Sequence, residues 1–357
     1  MENETLIPKT STSSVFYSFA TIALVIAGLL FFEGIIKPLV VAVLIWFIIN
    51  KIKLSIETIK IKGKSCPPFI SSSLALIIVI LISFFISELL IRNVEAIATS
   101  MPIYEAQLNE SFGEASALLN DPKYANYIQN WLNGVDFPGI ATTFMGSISG
   151  FLGDFVVVIV YVIFFILENS TQKIKLEKLF PVKGRVYTKF MNTMSQISES
   201  VQSFLWQKTL ISLITGAVSY GILLLMDVDH AFLWSFLIFI FNFIPYVGPL
   251  LSSLFPAIFA FLVSGDPMKL VYVFLAMGVV QVILGNFIEP KIMGKGTNLG
   301  PVTVIVALAF WGMIWGITGM ILAVPIMAVL VISLSQLPNT RYLAILLSEK
   351  GNIPEVE

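Results

Sequence analysis

Phe241-Asn242-Phe243-Ile244-Pro245-Tyr246-Val247-Gly248-Pro249 interrupts an uncharged apolar run that extends from Ala231 to Ser264. Pro245 and Pro249 lack a backbone N–H, and their rings clash with the preceding helical turn. Gly248 adds backbone freedom between them, so a straight helix is not expected here. As one rod the run's 34 residues would extend roughly 51 Å at ~1.5 Å per residue, beyond a bilayer core of ~30 Å. Two full spans would need about 40 residues. The run therefore predicts a helical hairpin that dips into the membrane and turns at the Pro-Gly-Pro segment. Irregular backbone at membrane depth survives only where protein buries it or water reaches it, which makes the break a candidate part of a pathway. The competing reading is a kink, or an interfacial turn between two short helices.

Composition sets the class. The 357 residues are 57% hydrophobic and 12% charged, with a mean hydropathy of +0.91, against roughly 25% charged residues in ordinary soluble domains. An all-α polytopic membrane protein follows. A net charge of −1 offers no basic field, so nucleic acid is not an expected partner. Cys66 is the single cysteine and excludes an intrachain disulfide or a thiolate metal cluster. His230, the single histidine, follows Asp227-Val228-Asp229 and reads as a helix-terminal residue rather than a metal ligand. No cofactor is expected.

Residues 1–13 form a polar tail, expected in the cytoplasm. Spans are expected at Val15–Phe32, Leu39–Asn50 and Phe69–Ile91, with a tight turn at Glu33–Pro38. Together they make a block over 14–91. A fourth span, Phe151–Leu167, belongs to a block over 148–206 that continues into amphipathic helix. The loop after the second span carries Lys51, Lys53, Lys60, Lys62 and Lys64 against the single acid Glu57. The segment after the fourth carries Lys173, Lys175, Lys178, Lys183, Arg185 and Lys189. Between spans three and four, residues 92–147 hold only Arg92 and Lys123 as bases, with Glu95, Glu105, Glu110, Glu114, Asp121 and Asp136. Positive loops stay inside, so the acidic loop faces outward and the amino terminus inward. Apolar residues recur at helical spacing in 92–120 (Val94, Ile97, Ala98, Met101) and in 186–206 (Phe190, Met194, Ile197, Val201). Such helices either lie along headgroups, meet another subunit, or pack on the chain's own membrane part.

Residues 207–337 read as the transport core, followed by a cytoplasmic tail over 338–357. Gln207–Met226 is a fifth span, and Asp229 is placed to cap the helix beginning at Ala231. Gly265-Asp266-Pro267 reads as helix stop, N-cap and first-turn proline. Met268–Phe287 then spans the membrane, carrying Gln281 and Asn286. Pro301–Leu337 is a second uncharged run, interrupted by Gly312, Gly316, Gly319 and Pro325. Two broken apolar segments separated by an intact span mark a transporter site built from discontinuous helices. A chance coincidence in a Gly-rich membrane chain is the alternative.

The ordered motifs Phe243-Ile244-Pro245-Tyr246-Val247-Gly248-Pro249, Gln281, Ile288-Glu289-Pro290-Lys291-Ile292-Met293-Gly294, Leu299-Gly300-Pro301 and Gly316-Ile317-Thr318-Gly319-Met320-Ile321-Leu322-Ala323-Val324-Pro325 resemble the AI-2E family over roughly residues 14–340. The resemblance implies about eight membrane segments and a bacterial cytoplasmic-membrane protein with both termini inside. It also implies a homo-oligomer, with a pentamer as the expectation. The family's tasks include export of the quorum-sensing signal autoinducer-2, a small polar solute, and sodium/proton antiport.

Asn242 and Tyr246 flank the first break and are placed to bond a hydroxylated solute, or else the carbonyls that Pro245 and Pro249 leave free. Gln281 is the favoured pathway residue, because an amide in hydrocarbon needs a partner. Asn286 lies about 140° around the helix from it, so the two do not share a narrow stripe. Glu289 is a candidate proton- or sodium-coupling carboxylate, against a role as helix cap or surface ion pair. Thr318 and Ser252 are weaker solute-contacting candidates; Gly248, Gly316, Gly319 and Pro325 shape the broken segments. An enzyme is not expected, since the spans hold no nucleophile–histidine set or carboxylate pair. A non-transporting scaffold is the remaining alternative from another class.

Overall fold

A computed structural model describes residues 12–58, 60–61, 64–65, 67–118, 137–180, 184–293, 298–351 and 353. Cys66 and most of the 1–13 tail lie outside the described residues, as do the stretch 119–136 of the acidic loop and Gly294 and Lys295. Apart from a two-residue ladder pairing β1 (Lys60–Ile61) with β2 (Lys64–Ser65), the elements are helical. Among the described residues, six helices are long and apolar enough to cross a membrane, and Phe19–Phe31 and Ala231–Phe241 are shorter apolar helices. The chain is an all-α polytopic membrane protein.

Its contacts divide into two units. The first comprises Met1–Ile78, Val156–Gln207 and Met293–Glu357. Here α1 (Thr12–Phe31) leads through Phe32 alone into α2 (Glu33–Thr58). The turn expected over Glu33–Pro38 is instead the opening of α2. Glu33 suits a helix N-terminus, and Lys37 bonds it across one turn at 3.1 Å. In the same unit α10 (Pro301–Ser335) packs on α1 and α2. The last helix, α11 (Arg341–Leu347), also packs on α10. Backbone bonds from Gly300 to the Leu347 carbonyl and from Glu349 to the Asn298 carbonyl tie the start of α10 to the chain's end.

The second unit comprises Val79–Phe155 and Lys208–Ile292. Two long helices run through expected boundaries. α3 (Pro68–Leu118) runs from the third span into the periodic helix of 92–118, with Pro102 inside it. α5 (Arg185–Leu225) joins the amphipathic helix of 186–206 to the fifth span. The backbone does not register the change from amphipathic to apolar surroundings. α4 (Phe137–Leu179) covers residues 151–167, where a fourth span is expected.

Leu90, Ile97 and Tyr104 of α3 recur every seven residues and enter the core of this unit, beside Leu223, Trp234, Phe259 and Met277. Up to Tyr104, the periodic stretch of α3 therefore packs on the other helices of this unit. Phe259 gathers the rings of Tyr104, His230 and Trp234 at 5.7, 5.8 and 5.0 Å. His230 meets Asn93 of α3 through Nδ1 at 3.1 Å. Burial holds its pKa below the usual histidine value, and the neighbouring Asp229 only partly opposes this.

Four elements follow in close succession: α6 (Ala231–Phe241), α7 (Val247–Ser264), α8 (Pro267–Val282) and a π-helical segment, Ile283–Ile288, that continues into α9 (Glu289–Met293). Asp229 does not cap α6. His230 occupies the N-cap position with φ +56° and no side-chain cap, because the helix begins at the very next residue. The turn between α7 and α8 follows its sequence signals. Gly265 takes φ +66°, Asp266 Oδ1 accepts the Met268 N–H at 2.8 Å, and Pro267 opens α8. Asp266→Ala is expected to lower stability by about 1 kcal/mol, read as a small drop in melting temperature that Asp266→Asn largely spares.

Candidate functional site

Both apolar runs break where Gly and Pro cluster. In the first, α6 stops at Phe241 and α7 starts at Val247. Tyr246 stands between them with φ +62° and is exposed, a conformation that costs an L-residue roughly 1–2 kcal/mol. The turn closes its own backbone: Ile244 N–H donates to Phe241 O and Gly248 N–H to Ile244 O. A Cβ on Gly248 would stand 2.0 Å from the Phe241 carbonyl oxygen. Along a straight helix seven residues cover about 10 Å, so the chain doubles back here. Phe241 against Phe255 and Trp234 against Phe259 carry the α6–α7 contact away from the turn.

The second run doubles back by the same device. Trp315 (φ −129°, ψ 19°) and Gly316 (φ 61°, ψ −142°) leave helical geometry inside α10. A Cβ on Gly319 would stand 1.9 Å from the Trp311 carbonyl oxygen, eight residues back, where a straight helix would put about 12 Å. Thr318 is half-buried between these positions, and Pro325 is buried in the following helical stretch. In each broken run a glycine lets one helix rest on a carbonyl in the other's last turn.

The polar groups of the second unit line the inner side of its helices. Asn242 and Ser212 are both buried, and the Asn242 Nδ2 donates to Ser212 Oγ at 3.0 Å. Its donor therefore serves Ser212 of α5 and not a carbonyl freed by a proline. Pro245 and Pro249 flank the turn, half-buried. Ser252 is fully buried in α7, and its Oγ has no partner among the described residues. Gln281 of α8 is 7% exposed, and its Nε2 likewise has none. Buried polar groups are almost always bonded, so two unmet groups mark an unfinished polar surface. The helices bearing them pack together across the Gly265-Asp266 turn. Ser252 and Gln281 stand roughly 20 and 23 Å from that turn at ~1.5 Å per residue, about the same level.

Asn286 lies in the π segment and faces outward, away from Gln281. Glu289 turns inward and forms an ion pair with Lys208 of α5; the side chains are 20% and 6% exposed. The carboxylate thus sits in an ion pair with a buried lysine, and is itself partly covered. The π segment explains how it faces in. Eight α-helical steps from Gln281 would put Glu289 about 80° past two full turns. A π segment absorbs one extra residue, as the Glu289 N–H bond to Leu284 O shows, leaving about seven steps and an offset of only about 20°.

Lys208 is the functional candidate that sequence reading missed, together with the stripe it heads. Lys208, Ser212, Thr215 and Ser219 recur at intervals of four, three and four residues, and all are buried. Thr215 bonds the Ile211 carbonyl at 2.8 Å, whereas Ser219 Oγ has no partner among the described residues. The signal was present as a polar helical period inside an apolar span. A lysine at the head of that span reads equally as an interfacial anchor, which hid it.

Comparison with known proteins bears on what such a chain does. The model of the AI-2E family transporters matches residues 19–339. The AI-2 transport protein TqsA of Escherichia coli (strain K12) is 26% identical over 334 residues, covering 92% of this chain and 93% of TqsA. A Borreliella burgdorferi protein named "Putative transport protein" is 26% identical over 328 residues, covering 87% and 84% of the two chains. YhhT of Escherichia coli (strain K12), also named a transport protein, is 35% identical over 153 residues, 42% of each chain. A family-model match over nearly the whole length places this protein in the AI-2E transporter family.

Proposed function

We propose that this chain is a secondary transporter that moves a small polar solute, such as autoinducer-2, out across the bacterial cytoplasmic membrane. The broken runs 231–264 and 301–337, within a transport core over 207–337, are its moving parts and enter the bilayer as re-entrant hairpins. The observation that carries this reading is that Gln281 Nε2 and Ser252 Oγ are both buried and unmet, with Ser252 about two helical turns past the first break. A hydroxylated solute satisfies an amide donor and a hydroxyl, and Asn242 and Tyr246 flank the first break. Gly248, Pro249 and Pro245 shape that turn, as Gly316, Thr318, Gly319 and Pro325 shape the second; Asn286, facing outward, has the weakest claim. Lysines in the loops at 51–64 and 173–189 support an orientation with both termini cytoplasmic. The family resemblance supports a homo-oligomer, with a pentamer as its form.

Purified protein in proteoliposomes tests this. Gln281→Leu and Ser252→Ala are each expected to weaken autoinducer-2 binding on the order of tenfold, one hydrogen bond's worth. Both variants should keep the wild-type melting temperature, since each removes an unmet group. Unchanged binding in both variants overturns the site. Sodium or lithium exchange for protons is the second reading, favoured by Glu289 in its pair with a buried lysine. It predicts cation-driven proton flux that Glu289→Gln abolishes.

A further inference from the structure

The chain enters its second unit for the last time at Lys208 and leaves it at Ile292. Lys208 is the first residue after that entrance, and Glu289 stands three residues before the exit. These two residues, 81 positions apart, form the ion pair between α5 and α9. Charged groups buried among apolar helices are retained only when paired, so this pair is either closed or opened to water. One helical turn beyond Lys208, Ser212 accepts the bond from Asn242 at the first break. Two polar contacts one helical turn apart on α5 thus join it to the exit of the segment and to the first break.

We propose that the Lys208–Glu289 pair is a clasp that closes segment 208–292 at its base, so that the segment shifts as one body during transport. The proposal rests on the transporter reading above. Lys208 acts here as a positioning residue. It fixes α5 against the end of the π segment, one helical turn from where Ser212 of the same helix accepts from Asn242. Its counter-ion is internal, so the clasp needs no added ligand to close.

The test uses the full-length protein with Lys208→Met, Glu289→Gln, Lys208→Arg and the reversed pair Lys208→Glu/Glu289→Lys. In proteoliposomes each of the first two is expected to cut maximal flux on the order of tenfold while leaving KM unchanged. Lys208→Arg should stay near wild type, and the reversed pair should recover most of the loss. A merely structural contact would lower the amount of folded protein without splitting maximal rate from KM. If the wild type moves no autoinducer-2, the transport reading fails while the clasp is still read from melting temperatures. There the reversed pair must exceed the sum of the single variants, and hydrogen exchange must rise at both ends of 208–292 in Lys208→Met. A reversed pair no better than that sum, or single variants that match wild type in flux and exchange, overturns the clasp. Recovery of flux without recovery of cation dependence separates the clasp from a cation site at Glu289.

Discussion

Gly248→Ala is expected to disable the protein, with loss of solute flux and a lowered melting temperature. The added methyl would stand 2.0 Å from the Phe241 carbonyl oxygen and 2.8 Å from its carbonyl carbon. Both are backbone atoms, so no side chain can swing aside. The turn must open by about 1 Å or more to reach ordinary contact, and overpacking of this kind costs about 1–3 kcal/mol. Opening it also pulls on Asn242, which begins the turn and reaches Ser212. Gly319→Ala should behave alike, because its methyl would stand 1.9 Å from the Trp311 carbonyl oxygen. Gly278→Ala is the control. That position lies within α8 with no atom inside 4 Å of the new methyl, and alanine is favoured there by roughly 0.4–1 kcal/mol. Flux and melting temperatures for the three variants, compared under one condition, check the argument. Wild-type behaviour of Gly248→Ala would mean that the close approach at the turn does not matter.

How much was legible in the sequence follows from where each signal resides. The breaks were legible because Pro and Gly act on the backbone locally, and both runs do turn at Gly-bearing positions. The Gly265-Asp266-Pro267 junction was legible for the same reason. Asp229 misled because the capping position lies directly before the helix, and His230 holds it. Glu33–Pro38 misled because Pro38, the sixth residue of α2, removes one backbone bond without ending the helix. The continuity of α3 and α5 was hidden, since a change of surroundings leaves the helical hydrogen bonds intact. The candidate site was half legible. Asn242, Gln281 and Glu289 stood out as polar groups near apolar breaks. Their relations did not, because Lys208 lies 81 residues from its partner and a π segment has no composition of its own.

That π segment carries the second large prediction. Inserting one alanine between Ile288, the last residue of the segment, and Glu289 is expected to add one regular α-helical step there. Every residue beyond it then rotates by about 100° relative to α8. Glu289 leaves the face it shares with Gln281, and Lys208 is left buried without its carboxylate. Breaking a buried pair from one side costs about 3–5 kcal/mol, so a pronounced drop in melting temperature should accompany loss of flux. Ile283→Ala keeps the residue count, and with it the pairing, so it should melt near the wild type after a small loss of apolar contact. Glu289→Gln keeps the register and removes the charge. Adding the insertion to that variant should then cost far less than adding it to the wild type, because the same interaction cannot be lost twice. Equal costs in both backgrounds would show that the register beyond the π segment serves something other than aiming Glu289 at Lys208.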